Sequence, residues 1–114
     1  MKGGDVALTL LPQADGKLKY RPVVVLCQLP PFGDLLVCGI STQLEHEVEG
    51  FDDAINPGDS DFKRTGLKAA SLIRLGFLAS LPLNRFAGSL GAISSKRHKG
   101  LLQRLGEFLK AKGA

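Results

Sequence analysis

Apolar and polar positions repeat along this chain with two different periods. Over residues 6–11, Val6, Leu8 and Leu10 share one face and Ala7, Thr9 and Leu11 the other, which predicts a strand stopped by Pro12. Ala14-Asp15-Gly16 reads as a turn, so a β-hairpin or wide loop is expected there. Residues 17–21 alternate polar and apolar. Pro22 lacks a backbone donor, predicts a sheet edge or strand start, and holds Arg21 extended. The valine-rich residues 23–26 carry the strongest strand signal. Residues 29–34 read as a loop, 35–40 as a strand and 56–61 as a loop. A short strand is predicted over 72–75, a brief strand or turn over 77–81 before Pro82, and a last extended stretch over 90–94. The period then lengthens. Leu101, Leu102, Leu105, Phe108 and Leu109 form one helical stripe, with Ser94 or Ser95 as cap and Gly113 as stop. Gly100 and Gly106 each cost such a helix about 1 kcal/mol, so it is expected to depend on docking that stripe. Five or six short strands and a terminal helix predict a mainly β fold, a small antiparallel barrel or rolled sheet.

Length and composition narrow the class. The 114 residues suit a single domain, 1–114, and the 44% apolar share excludes wholesale disorder. The longest apolar run, residues 22–27, is far short of the roughly 18–20 residues of a membrane span. The first residues lack the layout of a secretory leader, so a cytoplasmic protein without membrane attachment is expected. Cys27 and Cys38 are too few for a disulfide scaffold. Their place on neighbouring predicted strands suits buried, inert thiols better than a metal or redox site.

Charge is unevenly spread. Residues 1–57 hold four basic and eight acidic side chains, residues 58–114 eleven and three. Such separation suits an anionic partner, and nucleic acid, an acidic protein segment and a membrane surface all fit. Walker, GxGxxG, HExxH and CxxC motifs are absent from the sequence. His46 among Glu45, Glu47 and Glu49 reads as a solvated acidic edge, and Lys96-Arg97-His98-Lys99 as a solvated charge run. Cations in a first helical turn oppose the macrodipole by ~0.5 kcal/mol each. That hints that Lys96, Arg97 and Lys99 meet phosphates or an acidic partner. Arg21 is extended beside Lys19 and Tyr20. A guanidinium held this way can clamp a phosphate through two parallel hydrogen bonds, although a lone arginine before proline also reads as a surface residue.

Several segments resemble one family. Gly4-Asp5-Val6, Asp15-Gly16-Lys17 and Tyr20-Arg21-Pro22-Val23-Val24-Val25-Leu26 are similar to the opening of the PemK/MazF-like toxins of type II toxin–antitoxin modules. Ile40-Ser41-Thr42-Gln43 resembles the family's second motif. Gly66-Leu67-Lys68, Ser71-Leu72-Ile73-Arg74 and Leu78-Ala79-Ser80-Leu81 resemble its third block, and Leu90-Gly91-Ala92-Ile93-Ser94 its last strand. The resemblance implies an SH3-like barrel of about five to seven short strands with a C-terminal helix, usually a homodimer. It implies a growth-inhibiting toxin that cuts single-stranded RNA or mRNA without metal or other cofactor, leaving a 2′,3′-cyclic phosphate. It also implies a cognate antitoxin as partner, with which the toxin binds DNA.

Arg21 matches the family's catalytic arginine and Ser41 its catalytic threonine. Lys17, Lys19, Tyr20, Thr42, Gln43 and Arg74 are then expected to contact RNA. Two departures stand out. Gly76 occupies a position where some members carry an acidic residue, and Asp15 and Lys17 lie where some carry a histidine. The alternative reading is a catalytically inactive SH3-like module that binds RNA or an acidic, antitoxin-like segment.

Overall fold

The period-two pattern is realised in six strands. A computed structural model of the chain describes residues 1–12 and 14–113. In chain order these form β1 (Asp5–Pro12), β2 (Leu18–Gln28), β3 (Leu35–Ser41), β4 (Asp53–Ile55), α1 (Phe62–Thr65), β5 (Ser71–Leu81), β6 (Phe86–Ala92) and α2 (Ser95–Lys112). The sheet order is β4-β5-β3-β2-β1-β6, antiparallel throughout. The mainly β architecture with a terminal helix is the one the sequence predicts. The Ala14-Asp15-Gly16 turn is also present: Gly16 takes φ 82°, and the Lys17 N–H donates to Asp15 Oδ1 at 2.9 Å.

Because the strands alternate, the sheet buries apolar residues on both faces. One core gathers Val6, Val24, Leu26, Cys38, Ile73 and Leu75 against Leu101 and Leu105 of α2. The other gathers Ala7, Leu11, Val23, Val25, Leu35 and Val37, with Phe77, Ala79 and Leu81 packed on it. Burial pushes the Cys38 thiol up to about 12, which leaves it an inert core side chain.

Strand β5 corrects the expectation of two separate pieces over 72–75 and 77–81. Its two ends, Leu72–Arg74 and Leu78–Leu81, both pair with β3, through a register shift between Cys38 and Gly39 that leaves extra β5 residues around Gly76. A slip by an odd number of residues exchanges the faces of a strand. Ile73 and Leu75 therefore enter the first core, and Phe77, Ala79 and Leu81 the second. Two elements lie outside the sequence reading altogether, β4 with three residues and α1 with four.

The α1 segment packs across to the opposite edge of the sheet. A Cβ at Gly66 would meet the Leu90 backbone, and one at Gly91 the Arg64 and Thr65 backbone. Gly66 also takes φ 74°, so glycine serves both the turn and the approach. This contact draws the β6 side toward the β4 side and curls the sheet.

Helix α2 begins at Ser94, whose Oγ accepts the Arg97 N–H at 3.1 Å. The solvated charge run expected over 96–99 is only partly so. Lys96 and Lys99 are exposed, but the Arg97 side chain is 14% exposed and bonds Asp53, Asp59 and Asp61 at 2.8–3.0 Å. The acidic partner that the first-turn cations hinted at is, for Arg97, inside the chain. Burial opposes the Arg97 charge, and the hydrogen bonds to Asp61 and Asp53 outweigh it, raising its pKa above the ordinary arginine value. His98 is half-buried, and its Nε2–H donates to the Leu26 carbonyl at 2.7 Å. Three of the residues that bond Arg97 or His98 across the fold lie more than 40 positions away in sequence, which is why the local pattern does not reveal them. His46 is exposed, as a solvated acidic edge requires.

Candidate active site

The register of β2 against β3 sets up the site. Val23 pairs with Gly39, Val24 with Cys38 and Val25 with Val37. Continued by two residues, the same register brings Arg21 opposite Ser41. The ladder stops short of them, since Pro22 has no N–H to give it. On the far side of β3, Gly39 pairs with Arg74 and Ser41 with Leu72. Alternation then turns Arg21, Ser41 and Arg74 to the same face, the one opposite α2.

A cleft of about 550 Å³ opens on that face. Arg21, Ser41, Thr42, Gln43, Lys68 and Arg74 line it, with Leu11, Gly39 and Phe77 among its apolar and backbone walls. A Cβ at Gly39 would sit 3.1 Å from the Phe77 ring, so glycine lets that ring lie over the strand. Three lining residues are cationic, and no Asp, Glu or His lines the cleft among the described residues. A concave surface of one charge sign concentrates its field on an anion.

Ser41 is held by its own turn. The Gln43 N–H donates to Ser41 Oγ at 3.0 Å, an arrangement that orients the hydroxyl oxygen and leaves its proton available to a ligand. A backbone hydrogen bond thereby constrains a hydroxyl that has no β-methyl to fix its rotamer.

Of the residues selected from sequence, the cleft brings together Arg21, Ser41, Thr42, Gln43 and Arg74. Lys17, Lys19 and Tyr20 do not line it. Lys19 shares the strand face of Arg21 farther out, and Tyr20, 54% exposed, alternates to the opposite face. Lys68 also lines the cleft, a place the sequence does not predict for it. It lies in the connection between α1 and β5, where a lysine has no periodic signature. Gly76 does not line the cleft, and a Cβ there would meet only Phe51, at 3.9 Å.

A second cavity, of about 370 Å³, lies beside Asp53, Asp61, Arg97 and Arg104. Its charges neutralise one another. Hydrogen bonds from Arg97 hold the Asp61 carboxyl down at about 2 against the opposing effect of burial, with the Ser94 N–H adding to them. This junction ties α2 to the β4–α1 segment. Among the described residues, no group of three or more His, Cys, Asp or Glu side chains is placed to hold a metal ion. None of the described helices is long and apolar enough to cross a membrane.

A family model described as PemK-like, MazF-like toxin of type II toxin-antitoxin system matches residues 2–109. Among solved structures, the chain is similar to the Mycobacterium tuberculosis toxin MazF-mt6. The two share 16% identity and a TM-score of 0.66, over 93% of this chain and 96% of that one, a likeness of fold. No curated protein matches significantly in sequence.

Proposed function

The chain belongs to the PemK-like, MazF-like toxins of type II toxin–antitoxin systems, and from that premise we propose that it is an endoribonuclease that cuts single-stranded RNA without a metal or other cofactor. The observation that carries the proposal is the meeting of Arg21 and Ser41, from separate strands, in one cleft lined by cations. In the reaction the substrate's 2′-oxygen attacks the adjacent phosphorus and loses its proton. The bond from phosphorus to the 5′-oxygen breaks, and that oxygen gains a proton. The products are a 2′,3′-cyclic phosphate and a 5′-hydroxyl.

Negative charge builds on the non-bridging oxygens as the new bond forms. The Arg21 guanidinium offers parallel donors to those oxygens, and stabilisation of developing charge is where a fixed cation contributes most. Ser41 Oγ–H donates to the same phosphate while its oxygen accepts from Gln43. Arg74, Thr42 and Gln43 hold the flanking strand. Lys17, Lys19 and Tyr20 contact RNA only where it runs beyond the cleft. The partner in the cell is a cognate antitoxin, the toxin works in the cytoplasm as a homodimer, and the antitoxin complex binds DNA.

The test is cleavage of a long single-stranded RNA in EDTA by wild type and Arg21→Ala. Wild type is expected to leave cyclic-phosphate ends, and Arg21→Ala to lower kcat by roughly 10²–10³-fold with its thermal midpoint unchanged. Equal cleavage by the two proteins removes Arg21 from the mechanism. A second reading, a module that binds RNA or an acidic antitoxin-like segment without chemistry, is favoured by the lack of any carboxylate or imidazole among the described lining residues. It requires salt-sensitive binding with no cyclic-phosphate product.

A further inference from the structure

We propose that Lys68 is a phosphate-binding residue of the cleft, gripping the RNA backbone at a phosphate neighbouring the one that is cut. This rests on the endoribonuclease reading and adds a contact to it. Arg21 and Arg74 reach the cleft from β2 and β5, whereas Lys68 reaches it from the connection between α1 and β5. It therefore extends the cationic lining beyond the line that joins Arg21, Ser41 and Arg74 across the sheet.

The main chain beneath Lys68 is well held. Thr65 Oγ1 donates to the Phe62 carbonyl at 2.6 Å and accepts the Leu67 N–H at 3.1 Å. Ser71 Oγ donates to the Ala69 carbonyl at 2.8 Å. Gly66 makes the left-handed turn that precedes the segment. The Lys68 side chain itself is exposed, and among the described residues it forms no ion pair. Arg97 is the contrast, its charge taken up by three aspartates.

An ammonium is a point charge on a flexible stem and needs no planar partner geometry. That suits a backbone phosphate of variable position next to the reacting one. Lys68 acts on binding, then, and not on the reacting atoms.

A 2′-O-methylated single-stranded RNA of mixed sequence, whose blocked 2′-oxygen prevents cleavage, serves as the probe. Its Kd is measured against salt for wild type, Lys68→Gln, Lys68→Arg and the distant control Lys110→Gln, alongside cleavage of unmodified RNA. Lys68→Gln is expected to weaken binding several-fold and to flatten the slope of log Kd against log salt by about 0.7, the value of one single-strand phosphate contact. Lys68→Arg is expected to restore both, and kcat at saturating RNA to stay near the wild-type value in each.

If Lys68→Gln behaves as Lys110→Gln does while wild type cleaves RNA, the Lys68 contact is overturned and the enzyme reading stands. If Lys68→Gln lowers kcat with binding unchanged, the placement at a neighbouring phosphate is overturned. If wild type neither binds the probe nor cleaves RNA, both readings fall together.

Discussion

Ser41 offers a hydroxyl without the methyl that stiffens a threonine rotamer. The Gln43 N–H, 3.0 Å from its Oγ, supplies the missing constraint from the backbone. Ser41→Ala is expected to lower kcat roughly 10²-fold, the effect of losing one donor to the transition state. Ser41→Thr is expected to keep activity, and single-turnover cleavage rates check both. A hydroxyl that served only the turn would make Ser41→Ala change stability and not rate. Arg21 and Ser41 were both legible in the sequence through the motifs around them. Lys68 stands in the Gly66-Leu67-Lys68 segment that resembles the family's third block, but nothing in the order of residues says that this loop folds over the strand ends that carry Arg21 and Ser41.

Helix α2 was legible as a stripe, yet only Leu101 and Leu105 of that stripe are buried. Leu102, Phe108 and Leu109 are 38–57% exposed, although Phe108 packs its ring 4.8 Å from that of Phe51. A helix with so few buried apolar side chains depends more on its own propensity, beside the polar ties of Arg97 and His98. A Cβ at Gly106 would meet nothing within 4 Å. Gly106→Ala is therefore expected to stabilise the protein by about 0.5–1 kcal/mol, read as a rise in denaturant midpoint at constant m-value. Strand β5 was legible only in halves. Its inward positions Ile73, Leu75, Phe77, Ala79 and Leu81 keep one parity, but the odd slip at the bulge sends the first two to one core and the last three to the other, a change of face that no local pattern marks.

The acidic first half and basic second half of the chain do not remain two separate surfaces in the fold. Asp53, Asp59 and Asp61 converge on Arg97 and join the β4–α1 segment to the helix. The basic residues that line the cleft come from both halves. Asp61 gives this junction a pH signature. Its folded pKa is lowered from 3.8 to about 2, so it contributes stability above pH 3.8 that is lost as pH falls through about 2. The contribution is on the order of 2 kcal/mol. The thermal midpoint is expected to fall between pH 4 and pH 2, and Asp61→Asn, already lacking that carboxylate, to show a shallower fall over the same window. Parallel curves for the two proteins would remove Asp61 as the cause.

Arg21 and Ser41 come from the family resemblance of the motifs around them, whereas local pattern carried β1, β2, β3, the two halves of β5, the hairpin turn and the terminal helix. Those features depend on side-chain alternation, backbone dihedral preference and capping, all of which act within a few residues. The register that brings Arg21 opposite Ser41, the α1 packing that curls the sheet, the internal use of Arg97 and the entry of Lys68 into the cleft came from the tertiary structure. Each is a contact between segments far apart in the chain, and its geometry follows from how two cores are filled at once rather than from any local preference.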